Sequence, residues 1–215
     1  NFTFFNIMKQ LIDLENWNRK EHFEFFSQME EPFYGVVTEI DVTIAYQEAK
    51  RKNIPFFNYY LHKVLFAVNE TENFRLRIDG EQIFLHEKID ASATVMRADK
   101  TFGFSFMQYT ENENNFSAYA TKEIERVQNT SGLLLNSNWK ENIIHFSAVP
   151  FINFSGLTHA RSFTWPDSCP KISVGKIFEK DHRKFFNIAV YVHHGLVDGY
   201  HIGLFLENLQ KSLDK

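Results

Sequence analysis

The 215-residue chain carries 23 Lys and Arg against 27 Asp and Glu, a formal net charge of −4, so no basic field marks it for nucleic acid. Hydrophobic residues make up 44% and charged residues 23%, the balance of a chain that buries a sizeable core; the 24 Phe point to Phe-rich packing or an aromatic-lined pocket, or to a composition bias of the source. Cys169 is the single cysteine, which excludes an intrachain disulfide and fits a reducing cytoplasm.

No run of about 18 apolar residues occurs, so no membrane span is expected. The opening NFTFFNIMKQLIDLENW has no basic segment followed by a long apolar one, so no signal peptide is expected. No Pro-, Gly- or Ser-rich linker and no repeat divides the chain, and residues 1–215 are expected to form a single domain.

In chain order, NWNRKEHFEFFSQM places Trp17, Phe23, Phe26 and Met29 near helical spacing. YGVVTEIDVT reads as a strand and IAYQEAKRKN as a helix. PFFNYYLHKVLFAVNET is a second, more buried helix, with Pro55 in a position suited to a helix start. FRLRIDGEQIFLHE predicts a hairpin turning at Asp79-Gly80. IDASATVMRA and TFGFSFMQYT follow as strands and NNFSAYATKEIERVQN as a helix. IIHFSAVPF is a strand ended by Pro150, and KISVGKIFEK pairs with FFNIAVYVHH. The segment YHIGLFLENLQKSL puts Ile202, Phe205, Leu206, Leu209 and Leu213 on one helical face. This mixture predicts an α/β (α+β) fold, a mixed central sheet flanked by helices.

The stretch YVHHGLVDGYH holds the candidate chemistry. Strand alternation sends His194 to the side of Ile188, Val190 and Val192, and His193 to the other, so the two histidines diverge and do not share a metal ion. No neighbouring Cys or carboxylate set completes a zinc pattern, and no metal is expected. Two readings stay open on these residues alone. One is a strand end with an Asp-Gly turn. The other is a general base, since an imidazole titrates near neutral pH and Asp198 can help organise the turn.

The same stretch resembles the His-x-x-x-Asp-Gly signature of the chloramphenicol acetyltransferases, a motif shared with other coenzyme A-dependent acyltransferases. NWNRKEHFEFF, ENFRLRIDGEQIFLHEKI, FSAVPFINF and CPKISVGKI resemble further segments of that family, in the family's order across almost the whole chain. The resemblance implies a coenzyme A-dependent acyltransferase fold. It implies acetyl transfer from acetyl-coenzyme A, as co-substrate, to a hydroxyl of chloramphenicol or a similar small alcohol. It further implies a homotrimer with active sites between subunits. By the same resemblance His194 is the general base, Ser147 the oxyanion donor, and Asp198 a structural partner of Arg19. Ser173 matches a threonine that holds a water near the intermediate, Lys176 a lysine near coenzyme A, and Phe25 and Phe26 acceptor-pocket aromatics.

The departures fall in the acceptor pocket. Phe26 stands where many relatives have Tyr, and Phe104, close to Phe102, replaces a small residue. Leu157 and His159 stand where relatives have Phe and Leu, and GLV replaces the commoner Ala-x-Cys between the signature His and Asp. A Phe in place of a small side chain reshapes a packed pocket, and a histidine there adds a polar group that wants a partner. Two further readings therefore stand beside acetylation of chloramphenicol: an acyltransferase of the same fold with a different acceptor, and a non-catalytic ligand-binding relative.

Overall fold

A computed structural model of the chain describes residues 9–133, 141–162 and 167–215. In chain order they form β1 (Lys9–Leu11), α1 (Lys20–Phe26), β2 (Phe33–Asp41), α2 (Thr43–Arg51), α3 (Phe56–Asn69), a 3-10 turn (Glu72–Arg75), β3 (Leu76–Asp79) and β4 (Gln82–His86). There follow β5 (Asp90–Met96), β6 (Phe102–Phe104), α4 (Glu113–Gln128), β7 (Ile143–Ala148), β8 (Lys171–Val174), β9 (Phe178–Lys180), β10 (Arg183–His193) and α5 (Gly199–Leu213). The large sheet runs β2-β10-β8-β7-β5-β6, with β9 also on β10, and a small antiparallel sheet runs β1-β4-β3. The large sheet is mixed: β5, β7 and β8 are parallel, and β10 is antiparallel to β8 and β2. This is a mixed α/β single domain.

Alternation along the strands gives the large sheet two unlike faces. Ala91 and Ala93, Ile144 and Phe146, Ile172 and Val174, and Ile188, Val190 and Val192 are all buried on one face. Helix α3 lies on that face, where the Tyr60 ring meets Phe186 at 5.6 Å and Phe146 at 6.3 Å. Helix α5 joins the same layer, Phe205 stacking on Phe74 at 4.7 Å with both rings fully buried. The opposite face carries Ser92 and Thr94, His145 and Ser147, Lys171 and Ser173, and Tyr191 and His193. The ladder aligns Ser92 with His145 and Lys171, and Ser147 with Ser173. A polar sheet face of this kind leaves room for a site.

Several expected boundaries move. α1 is shorter than its apolar spacing suggested, starting after Arg19 and ending at Phe26, which leaves Met29 exposed. The strand expected across residues 101–110 lasts only from Phe102 to Phe104: the Phe106 N–H turns to the Glu123 carboxylate, and Met107 makes an isolated bridge to Ala91. The β3–β4 hairpin pairs Asp79 with Gln82, so the loop is Gly80-Glu81, one residue later than expected, and Gly80 takes the left-handed φ of +63°. β10 ends at His193, so His194 lies just past the ladder, with its ring against Tyr34, the cross-strand partner of Val192. Leu206 is only half-buried, while Ile202, Phe205, Leu209 and Leu213 are buried.

Among the described residues, no helix is long and apolar enough to cross a membrane. Because Phe205 anchors α5 to the core, Phe205→Ala is expected to lower unfolding free energy by about 3–5 kcal/mol, read from the midpoint of urea denaturation.

Candidate active site

The site residues fall into two groups on one chain. The first gathers where β10 turns into α5. The His194 N–H donates to Pro32 O at 2.8 Å, and the Leu196 and Val197 N–H groups return to His193 O at 3.0 Å, making a tight turn. A Cβ on Gly195 would stand 3.1 Å from the His193 ring and 3.2 Å from Phe23 Cα, so the turn and α1 approach closely at this point. That approach brings Arg19, at the head of α1, to Asp198. Arg19 Nη1 donates to Asp198 Oδ2 at 2.6 Å, and Nη2 reaches the His194 carbonyl at 3.4 Å. Asp198 also caps α5, its Oδ1 accepting from the Tyr200 N–H at 3.0 Å. His201 Nδ1 stands 3.2 Å from the Asp198 backbone nitrogen and 2.8 Å from its Oδ1.

Burial raises the Asp198 carboxyl pKa, but the Arg19 hydrogen bond and the charges of His201 and Arg19 outweigh it, leaving the group below its ordinary value. His194 itself lies flat on Phe26, centroids 3.9 Å apart and 11° between planes, and Tyr34 meets it at 4.3 Å and 35°. Its Nδ1 is buried with no hydrogen-bond partner among the described residues. His193 is separate: it is buried, its Nδ1 accepts from the Gly195 N–H at 3.1 Å, and burial, then the Arg161 charge, holds its pKa near 4. Phe25 is 61% exposed, edge-on to Phe26 at 5.1 Å.

The second group lines a cavity of about 950 Å³ on the polar sheet face. Ser147 opens into it, its Oγ accepting from Thr94 Oγ1 at 3.2 Å. Phe102 and Phe104 form one wall, edge to face at 5.6 Å. His159 lies across from them, its Nε2 3.4 Å from the Oγ of the fully buried Ser173. Burial, then the Lys171 charge, pushes the His159 pKa down to about 4, so this ring is neutral at physiological pH. Leu157 is half-buried near this segment, and Lys176 is exposed, with its backbone N–H on Ile152 O.

The two groups do not meet within a chain. The ladder sets Ser147 level with Ser173 and Ala189, and His194 lies beyond Ala189 and past the end of β10. Five residues along a strand and two strands across amount to roughly 15–20 Å.

Local pattern missed several members. Tyr34 and Thr94 join the two groups only through strand pairing. His145, Asp167 and Cys169 also line the cavity and bring potential ligand atoms within 4.8 Å of one another, an assembly that local spacing around the paired histidines did not suggest. Lys171 already pairs with Asp167, and burial pushes the Cys169 thiol pKa up. A divalent ion at this cluster would have to displace the lysine and take a reluctant thiol proton.

A family model described as chloramphenicol acetyltransferase matches residues 7–210. The chain belongs to the chloramphenicol acetyltransferase family. It is an acyltransferase. The chloramphenicol acetyltransferase of Staphylococcus intermedius is 28% identical over 216 residues, 98% of this chain and 97% of that protein. The enzyme of Clostridium perfringens is 27% identical, covering 94% of this chain and 93% of that one. A solved chloramphenicol acetyltransferase superposes with a TM-score of 0.89 at 30% identity, covering 96% of this chain and all of that one. A probable dihydrolipoamide acetyltransferase from Listeria monocytogenes, at 16% identity and a TM-score of 0.67, shares the fold.

Within the chloramphenicol acetyltransferase scaffold, the Asp198 carboxylate stabilises the folded state only while ionised. Its folded pKa lies below the ordinary 3.8, so its contribution is full above that value and is lost as pH falls through the folded pKa. Asp198→Asn is therefore expected to lower Tm at pH 7, and the gap from the parent is expected to narrow below about pH 3.8. Calorimetric melting across pH 2–7 measures both.

Proposed function

We propose that the chain acetylates a hydroxyl of chloramphenicol or a similar small alcohol, using acetyl-coenzyme A, with His194 as general base and Ser147 stabilising the oxyanion. The observation that carries this reading is a Ser147 hydroxyl opening into a large cavity of a chain that matches the family from residue 7 to 210. His194 accepts the proton of the acceptor hydroxyl as its oxygen attacks the thioester carbonyl. The tetrahedral oxyanion takes a hydrogen bond from Ser147. The carbon–sulfur bond then breaks, and the imidazolium returns its proton to the departing thiolate. The thioester is already activated, so no covalent enzyme nucleophile is needed.

The separation of His194 from Ser147 supports a site completed by a second copy, the base of one chain facing the cavity of the next, as in a homotrimer. The Arg19–Asp198 pair supports the base indirectly by fixing the turn that carries it. Ser173 is the residue proposed to hold a water near the intermediate, and Lys176, exposed at the end of β8, the one nearest coenzyme A. Phe25, Phe26, Phe102, Phe104, Leu157 and His159 are the proposed acceptor-pocket residues, and the proposed setting is the cytoplasm.

Purified protein given acetyl-coenzyme A and chloramphenicol is expected to release free thiol; no release across a broad pH range would remove chloramphenicol as the acceptor. His194→Ala is expected to lower kcat by about 10²–10⁴. Ser147→Ala is expected to lower it by about 10²–10³, with the fold retained by circular dichroism.

A different acceptor alcohol is a second reading, favoured by the neutral His159 ring and the Phe104 side chain inside the cavity. An acceptor panel separates the two readings: a polar alcohol turned over with higher kcat/KM than chloramphenicol establishes the second.

A further inference from the structure

We propose that Tyr34 is a positioning residue for His194, its ring closing the second face of an imidazole whose first face lies on Phe26. The inference rests on His194 being the base. Phe26 is nearly parallel to the imidazole at 3.9 Å, and Tyr34 stands at 4.3 Å and 35°. Two rings this near one small ring cannot share a face, so they enclose it from both sides.

A histidine ring turns easily about its last side-chain bond unless something holds it. A hydrogen bond to Nδ1 commonly does so, but here Nδ1 is buried with no partner among the described residues. Packing between the two rings therefore fixes the imidazole plane. Tyr34 is suited to this because β2 holds it in the ladder, opposite Val192 and two residues from His194 in β10's direction.

The enclosure also acts selectively during the reaction. When His194 takes the acceptor proton it becomes a cation between two π faces, an arrangement more favourable for imidazolium than for neutral imidazole. The Tyr34 hydroxyl is not the working part. It is buried with no hydrogen-bond partner among the described residues, and burial, then the Asp198 charge, pushes its pKa up to about 12. The phenol therefore stays protonated through the working pH range.

The test compares Tyr34→Phe, which keeps the ring, with Tyr34→Val, which keeps a strand-favouring side chain but removes it. Tyr34→Phe is expected to keep kcat within about twofold and to raise Tm slightly by removing an unmet buried hydroxyl. Tyr34→Val is expected to lower kcat roughly 3- to 30-fold, with acceptor KM little changed. In NMR relaxation of ¹³C-labelled histidine rings, the His194 ring is expected to be rigid in the parent and in Tyr34→Phe, and to average between ring orientations in Tyr34→Val. A folded Tyr34→Val with parental kcat and an unaveraged His194 signal overturns the inference. Tyr34→Leu serves the same comparison should Tyr34→Val not fold. His194→Ala is run alongside: turnover lost there but intact in Tyr34→Val overturns the Tyr34 role alone, whereas turnover kept in His194→Ala removes the base assignment beneath it.

Discussion

The large sheet meets two environments, and the difference between its faces governs most of what the molecule does. On one side Ile144, Phe146, Ile172, Val174, Ile188 and Val190 are sealed under α3 and its neighbours, which supplies the apolar burial that holds the fold. On the other side the intervening residues of the same strands are Ser92, His145, Ser147, Lys171 and Ser173. A one-residue slip of β7 or β8 would exchange these sets and turn His145 or Lys171 toward the core. The register that secures stability is therefore the register that aims Ser147 into the cavity.

His194, the proposed base, is held by different means. It stands beyond the end of its strand, on a turn closed by backbone hydrogen bonds and tied to α1 through the Arg19–Asp198 pair. Asp198 serves that pair and the start of α5 with its two carboxylate oxygens, Oδ2 on Arg19 and Oδ1 on the Tyr200 N–H. The ion pair is partly buried, so desolvation offsets part of its attraction, and beyond the stability that the ionised Asp198 contributes it acts as a geometric constraint. Its value lies in locating the His194 carbonyl and the aromatic rings of α1 relative to one another.

The helices were the most legible part of the sequence, since the 3.6-residue spacing of apolar residues in α3, α4 and α5 survives into the buried faces. Strands were legible as alternation, but their ends were not. Phe104 and Phe106 continue the pattern in sequence, whereas the Phe106 N–H is drawn away by Glu123, a side-chain competitor that periodicity does not register. The cavity was less legible still. His145, Asp167 and Cys169 converge from separate segments, and Tyr34 reaches His194 through pairing with a strand more than 150 residues away. Local spacing holds no record of such convergence, which is why the family resemblance carried Arg19 and Ser147 when the residues alone did not.

The pairing of Arg19 with Asp198 across 179 residues also has a temporal meaning. A chain made from its N-terminus presents Arg19, Phe26 and Tyr34 early, and β2 then lacks β10, the neighbour it pairs with along Phe33–Asp41. Until β10 and the turn behind it emerge, that strand has an open edge and Arg19 faces water instead of its carboxylate. The surroundings of His194 are thus among the last features to close, and a chain interrupted before the final turn holds the cavity residues without the turn that carries His194.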